Sequence, residues 1–79
     1  MNVTLYSRPG CHLCESAQDT LDGLRRRYPH VLQIVDVTSD RGLLEQYGER
    51  IPVVVIAGHE YAAPLSEQTL ERALRSARE

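Results

Sequence analysis

Apolar positions follow a period of two in some stretches and a helical period in others, and the switches between them divide the chain into seven elements. Val3 to Tyr6 is a β-branched and aromatic run closed by Ser-Arg-Pro-Gly, which predicts a first strand. From Cys11 the period lengthens. Leu13, Ala17, Leu21 and Leu24 share one stripe, while Glu15, Gln18, Asp19, Asp22 and Arg25 lie off it, so a helix is expected. Arg25, Arg26 and Arg27 crowd its end, where cations meet the negative pole of the helix dipole, and Pro29 forbids continuation. These arginines read as a solvated helix end rather than a docking patch.

Residues 31–37, VLQIVDV, are largely apolar and predict an interior strand. Strand, helix and strand with short connections imply a right-handed parallel crossover. Ser39 or Asp40 can cap a short second helix through Leu43, Leu44 and Tyr47, and Gly48 stands where its C-terminal cap belongs. IPVVVIAG predicts a third strand, with a hairpin turn at Gly58-His59 leading into a weak edge strand, HEYAA, which Pro64 ends. Ser66 then caps a last helix, with Leu65 and Leu70 placed as a hydrophobic staple and Leu70, Ala73, Leu74 and Ala77 as its apolar stripe. The order is βαβαββα, read as one α/β domain over residues 1–79.

Composition narrows the function classes. Hydrophobic residues make up 42% and charged ones 25%, a globular balance, and with no Trp or Phe the core must be mainly aliphatic. A net charge of −2 offers no electrostatic reason to expect nucleic acid or an anionic membrane as partner. No apolar run is long enough to span a bilayer, and MNVTLYS lacks the features of a signal peptide. A cytoplasmic protein is therefore expected. In that compartment a vicinal cysteine pair is more often catalytic or metal-binding than structural.

The chain's two cysteines stand in SRPGCHLC, just behind Pro-Gly. Cys11 falls at the predicted start of the first helix, where unpaired amides and the helix dipole favour thiolate over thiol; an ordinary cysteine has a pKa of about 8.5. Arg8 can add positive charge. Cys14 follows one turn later, within reach of Cys11 and expected to be more buried. Such a pair suits thiol–disulfide exchange, with Cys11 as nucleophile and Cys14 as resolving thiol. A structural zinc site needs about four ligands, and His12, His30 and His59 are scattered singly, so no metal ligand set is assigned.

Other residues admit two readings. His12 either stabilises the Cys11 thiolate or is an exposed helical histidine without a role. Leu13 is either a rim contact for substrate or, as its place on the stripe argues, a core residue. Asp36 is either a carboxylate relaying protons to Cys14 or, preferably, a strand-end polar residue near Thr38.

LYSRPGCHLC, Ile51-Pro52 opening the VVVI strand, and SEQTL at the last helix together resemble glutaredoxins and small glutaredoxin-like redoxins of the thioredoxin superfamily. The resemblance covers nearly the whole chain. It implies a four-stranded mixed sheet flanked by three helices, with Ile51-Pro52 as a cis peptide facing the cysteines and the Ile51 backbone offering polar groups to an extended substrate. The chain departs from that pattern in having His12-Leu13 between the cysteines, Arg50-Ile51 before the proline, and Ala63-Pro64 where glutaredoxins carry Gly-Gly. Ser66 and the helix start keep an anion site. The missing glycines and the missing Pro64 amide remove the close backbone grip on glutathione.

The leading expectation is thus a monomeric thiol–disulfide oxidoreductase that reduces or exchanges protein, or low-molecular-weight, disulfides. It needs no metal or organic cofactor and draws electrons from a thiol reductant, a thioredoxin-type system or glutathione. A glutathione-dependent iron–sulfur cluster module using Cys11, and a non-catalytic interaction domain with idle cysteines, are the alternatives.

Overall fold

The computed structural model describes residues 1–78. Its elements are β1 (Asn2–Ser7), α1 (His12–Leu24), β2 (Val31–Asp36), a 3₁₀ turn (Val37–Ser39), α2 (Arg41–Tyr47), β3 (Val53–Ile56), β4 (His59–Ala62) and α3 (Glu67–Arg78). The strands form one mixed sheet in the order β2-β1-β3-β4. β1 pairs parallel with β2 and antiparallel with β3, and β3 pairs antiparallel with β4. This is the expected four-stranded sheet with three helices, a thioredoxin-like architecture.

Strand alternation sorts the side chains. Val3, Leu5, Val54 and Ile56 are buried against Ala17, Leu21 and Leu24 of α1 and Leu70, Ala73 and Leu74 of α3. Tyr6 and Val53 face the other side and join Val37, Tyr47, Leu43 and Ile51 in a smaller cluster under α2. Leu65 and Leu70, the expected staple pair, both belong to the main core. Ser66 Oγ accepts from the Thr69 amide at 3.1 Å and caps α3 as its position suggests. Asp40, not Ser39, caps α2, accepting from the Leu43 amide at 3.0 Å.

Three expectations change. β2 is an edge strand rather than an interior one, because the crossover lays it outside β1; Leu32 reaches the core while Val31 and Ile34 are exposed. The hairpin turn is Ala57-Gly58, one residue earlier than expected, since Ile56 pairs with His59 and both turn residues have positive φ. Gly48 does cap α2, yet with a helical φ of −52°. Glycine is needed there because a Cβ would collide with the Leu44 carbonyl oxygen.

The arginines at the end of α1 find intramolecular partners. Arg25 pairs with Asp22 at 2.9 Å and Arg27 with Glu71 at 2.8 Å. His30, one of the scattered histidines, is buried, with Nδ1 donating to the Tyr28 carbonyl at 2.7 Å. Among the described residues no helix is long and apolar enough to cross a membrane.

Candidate active site

The loop after β1 delivers the first cysteine to a helix start. Gly10, at φ +80°, takes a left-handed conformation that costs glycine little, and the Cys11 amide donates to the Arg8 carbonyl at 3.3 Å. Cys11 is then the N-cap of α1, with extended backbone and its sulfur accepting the Cys14 amide at 3.2 Å. A sulfur thus occupies the place usually taken by a serine or aspartate oxygen. Cys14 lies one turn further in and is buried, whereas Cys11 is partly exposed. Their Cα atoms are 5.2 Å apart and their sulfurs are at disulfide distance.

Two clefts meet this end of α1, one lined by both cysteines and the other by Leu13 between them. The first, about 290 Å³, is lined by Arg8, Cys11, Cys14, Gln18, Ile34 and Asp36 among others. Asp36 is held below the usual carboxylate range by the Thr38 hydroxyl and then the Thr38 amide, at 2.7 and 2.8 Å, with a contribution from Arg8. Its hydrogen bonds are those of a strand-end cap, the preferred sequence reading. Arg8 acts electrostatically on Asp36 and shares the cleft with both cysteines.

The second cleft, about 530 Å³, is an apolar groove. Leu13, Ala17, Pro52, Pro64, Leu65 and Ser66 contribute to it, and none of its described lining residues is charged. Leu13 is 64% exposed, so it is a rim residue and not the core residue its stripe suggested. The buried stripe runs through Cys14 instead, which stands at i−3 from Ala17 where Leu13 stands at i−4. His12 is almost wholly exposed, with Nδ1 3.5 Å from a Glu15 carboxylate oxygen.

Ile51-Pro52 is cis, as the resemblance implied, and Ala63-Pro64 is cis as well. Sequence reading took Pro64 as a strand terminator and as a lost amide donor, and did not expect a cis peptide there. Pro52 and Leu13 line the same groove, and Ile51 does not; its side chain packs with Tyr47 and Val53. Its amide already donates to the Tyr47 carbonyl at 3.1 Å, so of its two backbone polar groups the N–H is engaged within the chain.

Sequence reading also missed a polar cluster behind that segment. Glu60 of β4 accepts from the Tyr47 hydroxyl at 3.0 Å and from Arg50 Nη2 at 2.8 Å. Arg50 also lies over the Tyr47 ring, 5.3 Å from its centroid, and that ring stacks on Tyr6 at 4.1 Å. Glu60 is held below the usual carboxylate range, first by Arg50 and then by Tyr47. The Tyr47 phenol is pushed up to about 12, chiefly by its bond to Glu60. No local motif links these residues, which stand ten and thirteen positions apart. No group of three or more His, Cys, Asp or Glu among the described residues could hold a metal ion.

Comparison with known proteins agrees with this architecture. A structural genomics target protein from X. campestris, XcR50, superposes with a TM-score of 0.82 at 32% identity, covering 94% of this chain and 96% of that one. A mutant thioredoxin from Halobacterium salinarum superposes at 0.75 with 20% identity, over 99% of this chain and 74% of the thioredoxin, a likeness of fold alone. An uncharacterised protein of Mycobacterium tuberculosis is 31% identical over 65 residues, 76% of this chain and 67% of the relative. Residues 2–77 match the glutaredoxin-like domain (DUF836). A thioredoxin-type sheet with a Cys-x-x-Cys pair at its first helix start, matched over almost its whole length, places this chain in the glutaredoxin-like domain family.

Proposed function

We propose that the protein is a thiol–disulfide oxidoreductase acting on polypeptide disulfides. The observation that carries the proposal is the Cys14 amide aimed at the Cys11 sulfur at 3.2 Å, at the start of a helix. That N–H and the helix dipole stabilise negative charge on this sulfur, and the thiolate is the nucleophile. The Cys11 thiolate attacks one sulfur of the substrate disulfide; that bond breaks, and the departing substrate thiolate takes a proton from solvent. Cys14, deprotonated, then attacks Cys11 in the mixed disulfide and releases the second substrate thiolate. The substrate gains two electrons and the protein is left with a Cys11–Cys14 disulfide. Two thiols of an external donor restore the dithiol.

The apolar groove beside Leu13 and Pro52 supports a polypeptide over glutathione as substrate. Glutathione carries two carboxylates and an ammonium, and none of the described residues lining the groove is charged to meet them. Ser66 Oγ is engaged by Thr69, accepting from its amide and donating to its hydroxyl. Pro64 has no N–H to donate. A thioredoxin-type donor acting in the cytoplasm fits these features better than glutathione does.

The test reduces the oxidised protein in parallel with glutathione and with a thioredoxin system, then supplies insulin as disulfide substrate. Faster turnover with thioredoxin is expected. Rapid turnover with glutathione would overturn the donor assignment, and no insulin reduction above that of either donor system alone would overturn the activity.

A further inference from the structure

The segment joining α2 to β3 ends in Pro52, one wall of the apolar groove, and its anchorage is unusual. The Gly48 amide donates to the Leu44 carbonyl, and the Arg50 and Ile51 amides both donate to the Tyr47 carbonyl at 2.8 and 3.1 Å. These bonds hold the segment to the last turn of α2 and to nothing else. Among the described residues, the hydrogen bond that ties segment 48–51 to the sheet is the one from Arg50 to Glu60. Glu60 accepts the Tyr47 hydroxyl with its other oxygen, so a single carboxylate ties both the helix end and the segment to β4. Tyr47 meanwhile stacks on Tyr6, near the end of the strand that runs into the cysteine loop. Tyr47 therefore supports the cysteine-bearing side and the proline-bearing side of the site at once.

We infer that Glu60 is a positioning residue for substrate docking: by bridging Tyr47 and Arg50 it sets where Pro52 stands relative to Leu13 across the groove. The inference rests on the thiol-exchange reading and adds residues that touch neither sulfur nor substrate. A side chain on the exposed face of an edge strand is a poor candidate for a fold-determining contact, because exposed ion pairs stabilise little. Two donors converging on it, both on the groove wall's own supports, give it a different task. Small displacements of a docking wall are costly to recognition even where the core is untouched.

The experiment uses Cys14→Ser, which cannot resolve a mixed disulfide; its Cys11 thiolate is exchanged with the symmetric disulfides of two thiols, each exchange releasing one free thiol, and the equilibrium stability of each mixed disulfide is measured. One thiol is a cysteine peptide with leucine on either side, long enough to enter the groove; the other is 2-mercaptoethanol, which is not. Adding Glu60→Ala, Arg50→Ala or Tyr47→Phe is expected to lower the peptide-to-mercaptoethanol ratio, by roughly tenfold for Glu60→Ala. The Glu60→Ala/Arg50→Ala double variant is expected to lose no more than Glu60→Ala alone, since both break one link. Tyr47→Phe keeps the stacked ring and serves if an alanine variant does not fold. An equal loss for both thiols, additive losses in the double variant, or an unchanged ratio would overturn the inference. So would a parent protein with no peptide preference, leaving the exchange chemistry intact. Failure of the parent to form a mixed disulfide with either thiol would overturn the exchange reading itself, and this inference with it.

Discussion

The amide of Cys14 points at the sulfur of Cys11 across 3.2 Å, and the two residues share the first turn of α1. One is the partly exposed cap of the helix and the other sits beneath it, 3% exposed. This asymmetry divides the chemistry between them.

Cys11 is expected to alkylate with iodoacetamide faster than Cys14 at neutral pH in the reduced protein. Cys14→Ser will accumulate a mixed disulfide with a disulfide peptide, seen as the added mass of one half of the peptide. Cys11→Ser will show none. Faster labelling of Cys14 would reverse the assignment.

Leu13 and Leu21 lie on the same helix but answer to different environments. Leu13→Ala removes an exposed rim contact, so the melting temperature should hold while KM for a protein disulfide rises several-fold. Leu21→Ala opens a cavity in the core and should cost about 2–5 kcal/mol in denaturant unfolding. A Leu13→Ala protein with wild-type KM would separate the groove from substrate docking.

The Tyr47–Glu60 bond gives stability a pH dependence at both ends. Glu60, depressed in the fold, stabilises above its unfolded value, and that contribution disappears as pH falls through the lower folded one. The Tyr47 phenol, pushed up to about 12 from 10.0, contributes fully below pH 10.0 and is lost as pH rises toward 12. Thermal melts should therefore decline over that alkaline window, and Tyr47→Phe should flatten the decline. Glu60→Gln should flatten the acid limb. Parallel pH profiles for all three proteins would remove the bond from consideration.

Ala57 occupies the first turn position of the β3–β4 hairpin at φ 51°, a left-handed conformation that costs a non-glycine residue about 1–2 kcal/mol. Glycine's extra unfolded-state entropy offsets part of the relief. Ala57→Gly should stabilise the fold by about 0.5–1 kcal/mol, a rise of a few degrees in Tm for a domain of this size. A lower Tm would show that the turn relaxes in solution.

Much of this molecule was legible from the order of its residues, because the relevant forces are local. Period, capping and turn chemistry act within a few positions, so the seven elements, the Ser66 cap, an α2 cap at Ser39 or Asp40 and the placement of Cys11 at a helix start follow from neighbours in the chain. The cis Ile51-Pro52 peptide came from family resemblance and not from any local signal. Tertiary packing decided the rest. An apolar run such as VLQIVDV reads alike at the edge or the centre of a sheet, and only strand order left Val31 and Ile34 uncovered. Leu13 and Cys14 both suit a stripe through Ala17, and the fold of α1 on the sheet chose Cys14 to bury and Leu13 to leave at the groove. Glu60 meets Tyr47 and Arg50 only because β4 returns beside β3, a pairing between distant positions that no local pattern encodes.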